Sequence, residues 1–178
     1  MAARAKIRKH PVHPMIVPLP IGLWIFSFVC DLIHLAGRNP LWDQIAFYTM
    51  AGGIVGALLA AIPGLIDLLS FKDPKLKQIG MFHMVLNLGA VVLFSVNLWL
   101  RYTGPAGEIF PMALSFLGLV AIGISGWLGG EMVYVYGVGV EPEKGIGDLE
   151  EDLRRHMTQQ AVPGAETPGK DRTTPRHH

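Results

Sequence analysis

One cysteine, Cys30, is the whole thiol content of the chain, so neither an intramolecular disulfide nor a thiolate metal cluster can form. Charge is also scarce. Only 16% of the residues are Asp, Glu, Lys or Arg, and they nearly cancel to a net +1, which excludes the basic footprint of a nucleic-acid-binding protein. A dinucleotide fingerprint, a Walker loop, an HExxH pair and a nucleophile elbow are all missing, so no enzyme class has positive support. No internal repeat is evident beyond stripes of small residues.

What the chain has instead is long apolar runs, separated by the few charges. About half of its 178 residues are apolar, and the runs predict four membrane-spanning helices at about 18–36, 43–69, 78–100 and 109–136. This is an all-α class: a four-helix transmembrane bundle over 1–140, followed by a cytoplasmic tail over 141–178. In the tail, Leu149, Leu153 and Met157 recur every four residues beside the pairs Glu150–Arg154 and Glu151–Arg155, which predicts one short amphipathic helix. Beyond about Ala161 the composition is Pro, Gly, Thr and charge, and it predicts disorder.

Basic residues set the expected topology. Arg4, Lys6, Arg8 and Lys9 precede the first span and Lys72, Lys75 and Lys77 separate the second from the third, against Arg38 and Arg101 in the other two connections. By the positive-inside rule both termini of this multi-pass protein are cytoplasmic. The first apolar run is too long for a signal-peptide core and lacks a small-x-small cleavage site, so it reads as a retained helix. Pro14, Pro18 and Pro20 crowd its start, predicting a kinked or partly extended opening. Gly37 is the expected C-cap and Gly104-Pro105-Ala106-Gly107 an expected turn. Gly52, Gly56, Ala60 and Gly64 line one face of the second span, and Gly126 and Gly130 belong to the glycine-rich fourth; such stripes let helices approach closely in lipid.

Ionisable residues inside spans are costly and therefore informative. At 1.5 Å per residue, His83 lies roughly 9 Å, Glu131 about 13 Å and Asp67 about 16 Å to the cytoplasmic side of the midplane. His13 stands at the mouth of the first span in the same leaflet, and Asn87 follows His83 by one turn. Four ionisable groups from four spans are thus expected to converge, with three readings open. They form a structural polar cluster, or a ligand site in which His83 and His13 hold a metal ion or the iron of haem b, or a proton or ion path. In the other leaflet Asp31 and His34, one turn apart, are expected to form a polar pair. His10, His156, His177 and His178 lie in the flanks.

The segments His13-Pro14 with Val17, Pro20, Ile21, Gly22 and Leu23, Gly64-Leu65-Ile66-Asp67, His83 with Asn87, and Gly126-Trp127-Leu128-Gly129-Gly130 running to Gly137-Val138-Gly139-Val140 together resemble the uncharacterised bacterial membrane family called domain of unknown function 2231. The resemblance covers roughly residues 10–140. It implies a four-span inner-membrane protein. Because some such proteins are joined to Rieske-type or cytochrome c domains, it also implies a redox partner, here a separate protein. Many relatives carry a second histidine where this chain has Pro18. The expected role is an accessory or electron-transfer-associated subunit, with membrane lipid, a separate redox protein and a second copy of the chain (a homo-oligomer) as expected partners; a small transporter or proton channel and a purely structural protein are the alternatives.

Overall fold

The computed structural model describes residues 6–7, 10–104, 109–140 and 146–160. The chain divides into two units, Met1–Glu141 and Pro142–His178. The first opens with a two-residue antiparallel pairing of β1 (Lys6–Ile7) and β2 (His10–Pro11). Helices α1 (Val12–Ile16), α2 (Pro18–Gly37), α3 (Pro40–Ser70), α4 (Pro74–Thr103) and α5 (Ile109–Tyr134) follow. With α1 and α2 counted as one, four helices are long and apolar enough to cross a membrane. In the second unit, α6 (Ile146–Gln160) extends the expected amphipathic helix at both ends, and Arg155 donates to Glu151 at 2.6 Å. Residues 105–108 and those beyond 160, where the turn and the disordered tail are expected, lie outside the described residues.

The helices start where the local chemistry dictates. Asn39 and Asp73 each accept a backbone N–H of the next turn, from Leu41 at 3.0 Å and Leu76 at 2.8 Å, and each is followed by proline at the first helical position. Proline costs nothing there, because that N–H has no intrahelical acceptor.

The proline-rich opening is more regular than its composition predicts. Val17 has helical dihedrals (φ −51°, ψ −37°), its N–H reaches His13 O at 3.1 Å, and its own carbonyl accepts from Ile21. The chain therefore runs helically from α1 into α2. Pro18 and Pro20 occupy the first turn of α2, where their missing donors do little harm, so the break at Val17 is a loss of hydrogen bonds rather than an extended segment. At the other end of α2 the cap moves by one residue: Gly37 is the last helical residue, and Arg38 takes the left-handed conformation at φ 54°. After α5, Gly137 at φ 64° lets the chain double back, so that Gly137 and Val138 N–H bond to Val133 and Met132 O.

Around the bundle α2 neighbours α3, α3 neighbours α4, α4 neighbours α5, and α5 returns to α2. The two antiparallel hairpins α2–α3 and α4–α5 therefore stand side by side, with α2 and α4 parallel on one diagonal. The core is centred on that diagonal. Trp24 stacks on Phe94 with ring centres 4.3 Å apart, enclosed by Met50, Ala90 and Ile122. The outward faces carry the large apolar residues, such as Ile62, Leu69, Val85, Phe116 and Trp127, as expected where the solvent is lipid and no hydrophobic force drives helices together.

The stripes of small residues serve side chains more than backbones. A Cβ on Gly53 would strike the Trp24 indole, and one on Gly118 would lie 2.7 Å from the Phe94 ring. Gly52, Gly56 and Gly64 face Leu23, Pro20 and His13 in turn. Gly126 has open space beside it, and Gly130 meets only Tyr134, at 4.0 Å.

Candidate functional site

Two polar clusters sit at opposite ends of the diagonal. The end at which α2 begins holds the histidines. His13 comes from α1, and its Nδ1–H donates to Ala60 O of α3 at 2.8 Å. His83, on α4, donates from Nδ1–H to Ser125 O of α5 at 2.8 Å, with Ser125 Oγ 2.9 Å away. Asn87 completes this cluster, its Nδ2 donating to Ser125 Oγ at 2.6 Å and to His83 O at 2.7 Å. The two imidazoles, one from each hairpin, meet in a T-shaped, edge-on arrangement, with ring centres 6.1 Å apart and planes at 83°.

A carbonyl oxygen has no proton to give, so both rings must carry hydrogen on Nδ1, and in the neutral form both keep a lone pair on Nε2. Neither Nε2 has a hydrogen-bond partner among the described residues. No buried side-chain nitrogen or oxygen there is left unsatisfied, so both Nε2 atoms are open to an incoming group. Histidines that hold a metal are oriented in this way, the second nitrogen donating to a carbonyl and fixing tautomer and ring direction.

Of the four ionisable groups expected to meet, His13 and His83 stand together. Asp67, buried near the end of α3, and Glu131, near the end of α5, do not join the histidines in any group of three or more metal-ligating side chains among the described residues.

At the far end, Asp31 is held by Arg101 in a two-pronged ion pair, with both N–O distances 2.7 Å. Arg101 also donates from Nε to Asn97 Oδ1 at 3.0 Å and lies 3.5 Å from Asp43. Asn97 is wholly buried and donates to Pro111 O and Ser115 Oγ, each at 2.7 Å. His34 donates to Asn39 O at 2.8 Å. The sequence pattern marks Arg101 as an interfacial anchor, whereas the fold turns it inward. The available signal was the spacing Asn97-x-x-x-Arg101, one turn on α4, read together with the need of Asp31 for a cationic partner.

The clusters also disclose a repeat that the sequence conceals. His13, Trp24, Ser27 and Asp31 of the first hairpin correspond to His83, Phe94, Asn97 and Arg101 of the second at a constant offset of 70 residues. On the partner helices Ala46, Gly53, Ala60 and Gly64 correspond to Pro111, Gly118, Ser125 and Gly129 at one constant, slightly smaller offset. Equivalent residues make equivalent contacts. Ser27 donates to Ala46 O as Asn97 does to Pro111 O, and His13 to Ala60 O as His83 does to Ser125 O. Gly64 backs His13 as Gly129 backs His83, and Gly53 backs Trp24 as Gly118 backs Phe94. The hairpins are thus related by an approximate two-fold axis along the bundle, and the two histidines are symmetry mates across it. The repeat is hidden because only His and Gly are retained as identical residues among these positions.

Four apolar helices built as two quasi-equivalent hairpins define a helical membrane protein of four spans. The chain belongs to the family described as predicted membrane protein, domain of unknown function 2231, which matches residues 9–142. No curated protein and no solved structure matches it. The closing glycine-rich stretch returns beside the start of the chain's first helix: a Cβ on Gly139 would lie 3.2 Å from Pro11, two residues before His13.

Proposed function

We propose that this protein is an accessory, electron-transfer-associated subunit of a bacterial inner membrane, with both termini in the cytoplasm, that carries a metal centre between His13 and His83. The observation that supports this reading is the histidine pair itself. Two imidazoles from different hairpins stand 6.1 Å apart, each held by its own Nδ1–H bond to a backbone carbonyl. With metal–nitrogen bonds of about 2 Å and ring nitrogens roughly 1 Å from their ring centres, two imidazoles on opposite sides of one metal have centres about 6 Å apart. The spacing therefore suits one metal between the two rings, which when bound would supply one-electron chemistry. His13 and His83 would hold it, Ser125 and Asn87 would orient His83, and a separate redox protein would exchange electrons with it.

A continuous proton or ion path has less support. Between the histidines and Asp31–Arg101 the diagonal is filled by the Trp24–Phe94 stack, which offers no relay of polar groups.

The test is the cofactor content of the detergent-purified chain from cells supplied with haem and metals, by visible absorption and elemental analysis. The expected result is one metal per chain, lost in His83→Ala. A folded chain that takes up neither haem nor metal would remove the proposal. Reporter fusions test the orientation; a periplasmic C-terminus would reverse it.

A further inference from the structure

We infer that the metal held by His13 and His83 is a single cuprous ion, in near-linear coordination by the two Nε2 atoms. This names the ligand of the site proposed above and rests on that proposal. Four observations lead to it.

The first is the number of donors. No third His, Cys, Asp or Glu joins the pair among the described residues, whereas zinc takes four ligands and magnesium and calcium take six or more, mostly oxygens. Among the metals that imidazole suits, Cu(I) is the one satisfied by two donors. The second is distance. A bent, tetrahedral arrangement would draw the ring centres to roughly 5 Å, and an opposed one sets them at about 6 Å; the rings stand at 6.1 Å. The third is charge. Two neutral imidazoles cancel none of the ion's charge, and the cost of placing charge in a membrane interior rises with its square, which favours a monovalent ion over a divalent one.

The fourth is space. A porphyrin is roughly as wide as the 8–10 Å that separates packed helices, so it needs an open seam. Here the seams around the histidines are already closed on glycines. Pro20 lies against Gly56, Leu68 and Phe71 against Gly80, His83 against Gly129 and Pro11 against Gly139, with an added Cβ at each meeting an atom within 3.3 Å. A bare ion fits between the rings without parting these contacts. The approximate two-fold axis agrees with this, since it presents two like donors in like settings to one ion between them.

The test uses the full chain in detergent, made without a polyhistidine tag and titrated with Cu(I) under anaerobic reducing conditions against a chromophoric Cu(I) chelator. His177 and His178 are imidazole donors common to every variant, so the quantity read is the difference from the double variant H13A/H83A. One additional tight equivalent is expected. It is weakened about 100-fold or more in H13A and in H83A, weakened about 10-fold in S125A, where only the support of His83 changes, and retained in H83C, whose thiolate also suits Cu(I). X-ray absorption of the loaded chain should show two nitrogen scatterers at about 2 Å and the edge feature of two-coordinate Cu(I). Four scatterers, displacement by equimolar zinc, or equal uptake by the double variant would overturn the inference. If H83A fails to fold, as judged by circular dichroism and gel filtration, H83C and S125A carry the test. A haem Soret band that vanishes in H83C would overturn the cuprous assignment while leaving the metal-centre reading standing. A folded chain that binds neither haem nor any metal would overturn both.

Discussion

The two ends of the bundle diagonal hold equivalent positions filled in opposite ways. At the far end the pair is Asp31 and Arg101, unlike residues that bind each other, with the guanidinium further engaged by Asn97 and Asp43. At the end where α2 begins the pair is His13 and His83, like residues that bind their own hairpins rather than each other. A contact that holds two hairpins together gains from complementarity, so an approximately symmetric fold diverges there into opposite charges. A contact that holds a third body between the hairpins gains from sameness, so it stays symmetric. The far pair thus has the character of a clamp and the near pair that of a holder.

The comparison is tested most severely at the clamp. Arg101→Ala or Asp31→Asn leaves its partner charged, nearly buried and without its main counterion; the side chains are 10% and 7% exposed. Removing one member of a buried pair costs about 3–5 kcal/mol, whereas replacing both by apolar residues of similar size is nearly neutral. We expect each single variant to lose that much in reversible unfolding in detergent, and the double variant Asp31→Leu/Arg101→Met to recover most of it. If the double variant is as unstable as the singles, the pair is more than a clamp.

The middle of the diagonal should respond less. Gly53→Ala pushes a methyl group into the Trp24 indole, and Gly118→Ala puts one 2.7 Å from the Phe94 ring. Both neighbours are rigid rings with no free end to swing aside, so overpacking of about 1–3 kcal/mol is expected at each, read from the same unfolding curves. Gly126→Ala, with open space beside it, is the matched control and should change stability by no more than a few tenths of a kcal/mol. Equal effects at all three would mean that the glycines serve something other than the aromatic stack.

These contrasts also mark what the sequence made legible. Hydropathy locates four spans because lipid demands about 20 apolar residues per crossing, but it starts the second and third at about 43 and 78, after the polar caps Asn39-Pro40 and Asp73-Pro74 where the helices begin. The first-turn position of Pro20 is legible in the sequence, whereas the helical run through Pro14 and Pro18 shows only in the backbone, because a cluster of prolines reads as a breaker. Single residues betray depth, which is how His13 and His83 come to be read at one level. They do not betray azimuth, so the inward turn of Arg101 toward Asp31 is not legible in them. The repeat escaped because its equivalences are roles, such as Ser27 for Asn97 and Trp24 for Phe94, and the offset itself changes between the first and second helix of each hairpin.

The smallest stability effect is expected at the histidines, and that makes it the sharpest separation of holder from clamp. His13→Ala and His83→Ala each remove one interhelical hydrogen bond to a carbonyl. Such bonds average about 0.6 kcal/mol within membranes and reach about 1.7 at most. No charge is stranded, because Ala60 and Ser125 offer backbone oxygens. In the metal-free chain each variant should therefore lose under about 2 kcal/mol, well below the loss at Arg101. With metal present the ranking changes: at a free concentration 100 times Kd the ligand adds about 2.7 kcal/mol to the intact chain and nothing to either variant. Unfolding measured with and without metal separates the two roles. A large metal-independent loss at His83 would make the near pair a second clamp, whereas a small loss that widens with metal is what a holder gives.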